Sequence, residues 1–96
     1  MEILIKQIAG GADTAAQGEV VLRSLIDPLK QGGQVIVNFD GVTTATSSFT
    51  NAAFVPLLAD FSMEQIRKRL RIVRSSRQIN DMIKTRLDRE SAKVAA

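Results

Sequence analysis

The sequence predicts a small α/β domain in which strands and helices alternate as βαβαβα, the strands forming a mostly parallel sheet of three to four strands. Three observations carry this expectation. Short β-branched runs at 3–8 and 35–39 alternate with stretches whose apolar residues recur every three or four positions. Two capping-box spacings, Thr14 to Gln17 and Ser62 to Gln65, mark places where helices open. Ninety-six residues, 45% of them hydrophobic, suffice for one domain, spanning 1–96, with a single thin core.

Each element follows in order. Residues Ile3 to Ile8 read as the first strand, ended by Gly10-Gly11. Thr14 then opens a helix on which Val21, Leu25 and Leu29, with Leu22 and Ile26 beside them, form one apolar stripe. Pro28 lacks a donor and is expected to break or kink the last turn before Gln31-Gly32-Gly33. Val35-Ile36-Val37-Asn38-Phe39 is the strongest strand, and apolar residues on both its faces predict cover on both sides. Asp40-Gly41 signals a turn into the hydroxyl-rich stretch Thr43 to Ser48. Phe49, Ala53, Leu57 and Phe61 space a second helix, with a kink expected at Pro56.

The third strand is the least determined. Arg69 to Arg74 largely alternates charged and apolar residues, as a strand with one wet face does. Met63, Ile66, Leu70 and Val73 also fit a helical stripe, so that 63–73 and 77–90 resemble a helix-turn-helix. The strand reading is preferred because two strands need a third to make a stable sheet. Ser75 or Ser76 caps a last helix with Ile79, Met82, Ile83 and Leu87 inward, and the tail 91–96 is expected to fray.

Composition narrows the chemistry. The chain has no His, Cys, Trp or Tyr, which removes histidine bases, thiol nucleophiles, Cys/His zinc sites and disulfides. No cofactor or metal is implied. The first residues, with Glu2 and Lys6 around a short apolar run, do not read as a signal peptide, and no stretch reaches the ~18 apolar residues of a membrane span. The expected location is cytoplasmic.

Charge is uneven. Residues 1–48 hold three basic and five acidic side chains, a net of −2; residues 49–96 hold ten and five, a net of +5. Such a bias suits an acidic protein surface or nucleic acid, and it is equally what a solvated face looks like. Arg67, Lys68, Arg69, Arg71, Arg74 and Arg77 are the candidate nucleic-acid patch within 67–86, although no aromatic lies among them for base stacking. Asp40 is the best-placed catalytic acid, but a turn Asp before Gly is common and no second acid adjoins it. Ser47 and Ser48 stand where a helix begins, so they are either ordinary N-caps or places where a phosphoryl group, adding about −1.5 to −2 charges, would change a binding face.

The run VIVNFDGVTTATSSFTNAAF, from Val35 to Phe54, resembles the core motif of STAS domains (sulphate transporter and anti-sigma-factor antagonist). In that family a hydrophobic strand ends in Asp and a turn, and a Val-x-x-x-Asp-Ser-Ser-Gly-type segment opens a helix. Val42 matches the Val, Thr46 stands in place of the acid, Ser47 and Ser48 match the serine pair, and Phe49 replaces the Gly. The layout is most similar to a STAS-like set of uncharacterised bacterial domains. The resemblance implies a small STAS-like sandwich and a non-enzymatic regulatory module. It also implies a protein partner related to histidine-kinase-like ATPases, with Ser47 as phosphoacceptor. Asp40, Thr44, Thr46, Phe49 and Thr50 would belong to the partner face. A homodimer through the last helix or an open sheet edge is a further expectation.

Overall fold

The computed structural model describes residues 1–95. Its elements are β1 (Glu2–Leu4), α1 (Ile5–Ala9), α2 (Ala15–Lys30), β2 (Val35–Asn38), α3 (Ser47–Ala53), a 3-10 segment (Val55–Ala59), α4 (Met63–Arg69), β3 (Leu70–Val73) and α5 (Arg77–Ala95). The three strands lie in the order β1-β2-β3 and all run parallel. Glu2, Ile36 and Arg71 form one row across the sheet, and Leu4, Asn38 and Val73 another.

This order explains which face is covered. A chain that steps from strand to neighbouring strand in one direction, always by right-handed crossovers, lays every crossover on the same side. Cover on both sides requires a reversal of direction, and there is none. Ile3, Val35, Val37 and Leu70 are accordingly buried with the helices in one cluster. On the opposite face Glu2, Leu4 and Arg71 are exposed, Ile36 and Val73 are half-buried, and the Asn38 amide donates to the Glu2 carboxylate at 3.0 Å. The expectation that β2 is covered on both faces is therefore corrected: Ile36 faces outward.

The first strand is shorter than its β-branched run suggests. After Leu4 the chain turns into α1, which puts Ile5 and Ile8, three apart, on one inward face; a strand would send them to opposite sides. Gly10, at φ 80°, closes that turn by donating to the Lys6 carbonyl at 3.0 Å. Of the break or kink predicted at Pro28, the break does not occur. Helix α2 runs on to Lys30, since Pro28 falls in its last turn and forfeits a single bond there.

At Pro56 the prediction of a continuous kinked helix gives way to two pieces. Helix α3 stops at Ala53, and Pro56 opens the 3-10 segment, where a missing donor costs nothing. The ambiguous stretch 63–73 also divides. Ser62 and Gln65 complete a reciprocal capping box (3.1 and 2.9 Å) for the two-turn helix α4, and Leu70–Val73 pairs with β2. There is no helix-turn-helix. Ser76 caps α5, accepting from the Ile79 N–H at 3.2 Å. Ile79, Ile83 and Leu87 point into the core, while Met82 is half-buried. The helix continues past Ser91 to Ala95, and Ala96 lies outside the described residues.

Two contacts set the shape under the serine loop. Phe49 packs edge-to-face against Phe39 (centroids 6.5 Å) and Phe54 (6.3 Å), all three fully buried. Helices α2 and α3 cross at Gly18, where a Cβ would stand 2.5 Å from the Phe49 carbonyl oxygen and 2.8 Å from the Ala52 methyl. Only glycine admits that approach.

Candidate functional site

The hydroxyl-rich stretch forms a loop beyond the C-terminal end of β2, where open α/β sheets commonly bind ligands and partners. Its turn is made by Phe39 to Val42, with the Val42 N–H on the Phe39 carbonyl at 2.8 Å and Gly41 at φ 79°. Asp40 is exposed, and its N–H is held by the Asn38 side-chain oxygen at 2.8 Å. The next residues are fixed from two sides. Gln78, on α5, accepts from the Ala45 N–H and donates to the Ala45 carbonyl, both at 2.9 Å. Ser76 donates to the Thr43 carbonyl at 2.6 Å. From the other side, the Thr46 N–H bonds the Ala12 carbonyl (3.0 Å) and its hydroxyl donates to the Asp13 carbonyl (2.9 Å).

Thr46 is also the N-cap of α3. Its hydroxyl oxygen accepts from the Phe49 N–H at 3.1 Å, and its carbonyl takes both the N–H and the hydroxyl of Thr50. The serines therefore do not cap the helix. Ser47 and Ser48 are its first two residues, and among the described residues neither hydroxyl has a hydrogen-bond partner. Ser47 is half-buried and Ser48 exposed.

The other predicted residues separate by exposure. Thr44 and Thr46 are exposed beside the serines, whereas Phe49 and Thr50 are 0% exposed and belong to the core. A partner meets those two only through the helix position they hold. Next to the loop lies an open polar cavity of about 200 Å³, with Lys6 and Asp13 on its wall among the glycines of both turns. One cation and one anion leave it without a charge preference.

The basic residues do not gather into one patch. Arg67, Lys68 and Arg69 lie in the last turn of α4, where cations complement the helix dipole. Arg67 pairs with Asp88 at 3.5 Å and Lys68 with Glu64 at 3.1 Å, both pairs exposed. Arg69 donates to the Leu29 carbonyl at 3.4 Å, Arg71 is on the open sheet face, and Arg77 begins α5. Arg74 has φ 52°, the one non-glycine residue in the left-handed region among the described residues.

Sequence reasoning missed Gln78, Ser76 and the 12–13 carbonyls as the parts that hold the loop. They lie 33 or 34 residues from the loop positions they bind, and nothing local in the sequence marks them as partners of the loop.

With this geometry in place, comparison with known families is direct. Residues 17–80 match the family described as a STAS-like domain of unknown function (DUF4325). The chain belongs to that family. The match runs from the first turn of α2 to the first turn of α5, and so takes in the whole loop and its Ser76 and Gln78 support, while Ala12 and Asp13 lie before it. No curated protein and no solved structure matches the chain. Among the described residues, no helix is long and apolar enough to cross a membrane.

Proposed function

We propose that this domain is a non-enzymatic protein-interaction module whose partner face is the loop from Asp40 to Thr46 with the start of α3, and that phosphorylation of Ser47 switches it. The observation that carries the reading is the division of labour at the helix start. Thr46 supplies the cap, which releases both serine hydroxyls from a structural task. A phosphoryl group on Ser47 would add about −1.5 to −2 charges and three strong acceptors to a surface fixed on either side. It would change charge and shape without first breaking a hydrogen bond. A histidine-kinase-like ATPase is the partner that STAS kinship suggests. Ser48, the more exposed of the pair, is the alternative acceptor.

The test is affinity capture from the native cells with wild-type, Ser47→Ala and Ser47→Asp domains, followed by mass mapping of the phosphate. The expected result is phosphate on Ser47 and a co-purifying ATPase that Ser47→Ala retains and Ser47→Asp loses. Equal capture by all three, with no phosphate on either serine, would overturn the switch. The nucleic-acid reading of residues 67–86 has less support, since two of its cations are spent in ion pairs and the others are divided among α4, β3, the turn after it and α5.

A further inference from the structure

The edge of the sheet at β3 carries three features that the Ser47 reading leaves unused. The first is an open backbone. The Phe39 N–H bonds the Val73 carbonyl at 3.0 Å, so Val73 and, two back, Arg71 turn their backbone groups toward β2. Ile72 must then turn its N–H and carbonyl outward, along with the carbonyl of Leu70, where no further strand follows. The Leu70 N–H is taken by the Ile66 carbonyl. Beyond Val73 the positive φ of Arg74 turns the chain away, which limits the open edge to one short strand.

The second feature lies directly beneath. Helices α4 and α5 part over β3 to leave a groove of about 460 Å³. Met63, Ile66, Leu70, Ile72, Ile83 and Leu87 make it apolar, and Arg67, Lys84 and Asp88 stand on its rim. The third feature is charge. Arg67 and Asp88 neutralise each other, but Arg69, Arg71, Arg74 and Lys84 have no carboxylate within ion-pair distance among the described residues. Charged side chains on an edge strand guard against aggregation in many proteins. A guard alone does not require an apolar groove below it.

We propose that the β3 edge accepts an extended acidic and apolar segment of a partner protein as a fourth strand. Its apolar side chains would enter the groove over Ile72, and its acidic ones, alternating to the open face of the sheet, would meet Arg71 and, at the end of the strand, Arg74. Backbone pairing would supply affinity and the alternate side chains selectivity, as in other strand additions. A second copy of this chain is the wrong occupant. Pairing β3 with β3 would bring Arg71 of one copy beside Arg71 of the other, with Arg69 and Arg74 flanking each strand, and like charges across a shared ladder destabilise it. This site does not depend on Ser47.

The test uses the full chain, isotope-labelled, with a blocked nine-residue peptide alternating Val and Glu. The control peptide has Lys in place of Glu, and polyglutamate and a single-stranded oligonucleotide serve as competitors. The Val/Glu peptide should slow exchange of the Ile72 amide, shift the Ile83 and Leu87 methyl signals, and bind about tenfold more tightly than its Lys counterpart, as two exposed charge pairs would give. Arg71→Glu, on an exposed position that leaves the core intact, should abolish that preference, and Ser47→Asp should leave it unchanged. Absence of binding, or binding without protection of Ile72, would overturn the proposal. So would displacement of the peptide by polyglutamate or the oligonucleotide at equal concentration. None of these failures bears on the Ser47 switch, which Ser47→Asp reads separately.

Discussion

Two ends of one small sheet are finished in opposite ways. At the C-terminal end of β2, the loop and the start of α3 are held by Gln78, Ser76 and Thr46, with helix α2 pressed against α3 at Gly18. At the β3 edge, backbone groups face outward above an apolar groove, and Arg71 and Arg74 stand without a carboxylate partner among the described residues. The first region has its backbone held at Thr43, Ala45 and Thr46 and its shape fixed before any partner arrives, with the two serine hydroxyls left free among the described residues. The second keeps unmet bonding capacity. A preorganised surface loses little conformational entropy on binding and responds sharply to one added charge. An unfinished edge gains its order from what it binds.

Three substitutions sharpen this contrast. The largest effect is expected at Gly18→Ala, where the new methyl group meets the Phe49 carbonyl and the Ala52 side chain. Overpacking of this kind costs about 1–3 kcal/mol, read as a lowered midpoint in chemical or thermal unfolding. An unchanged midpoint would mean that α2 and α3 separate freely and that the loop is less rigid than described. Next comes Thr46→Ala, which removes a helix cap together with the bond to the Asp13 carbonyl. The expected loss is about 1 kcal/mol. Thr46→Ser, which keeps the hydroxyl, should restore most of it.

The smallest effect belongs to the other region. Arg74→Gly relieves a left-handed backbone that costs a residue with a side chain roughly 1–2 kcal/mol, against which glycine loses more freedom on folding. The net expectation is a slight stabilisation by the same unfolding measurement. A clear destabilisation would show that the Arg74 side chain makes a contact worth more than the strain.

Much of the fold was legible because its signals are local. Thr14 and Ser62 open helices through side-chain spacing alone, and Ile79, Ile83 and Leu87 announce a helix face by period. The parallel sheet followed from simple alternation. What escaped was decided over distance. Ile5 and Ile8 read as strand because their type suits one, yet reaching the core together required a helical turn. Apolar residues on both faces of β2 suggested two covering layers, but the direction of the crossovers, invisible in composition, left Ile36 outside. The serine pair was located correctly at a helix start and given a cap among its roles. Thr46, one residue earlier, takes that role because its hydroxyl can reach Phe49 and Asp13 at once.

The one-sided sheet has a consequence for how stability varies with temperature. The heat-capacity change of unfolding grows with the apolar surface newly brought into contact with water. Glu2, Leu4, Ile36, Asn38, Arg71 and Val73 already lie on a face without a covering layer, so that face adds less to the change than a doubly covered sheet of equal size would. The stability curve of such a domain is correspondingly flatter, varying less between cold and warm conditions than that of a doubly covered sheet of equal size.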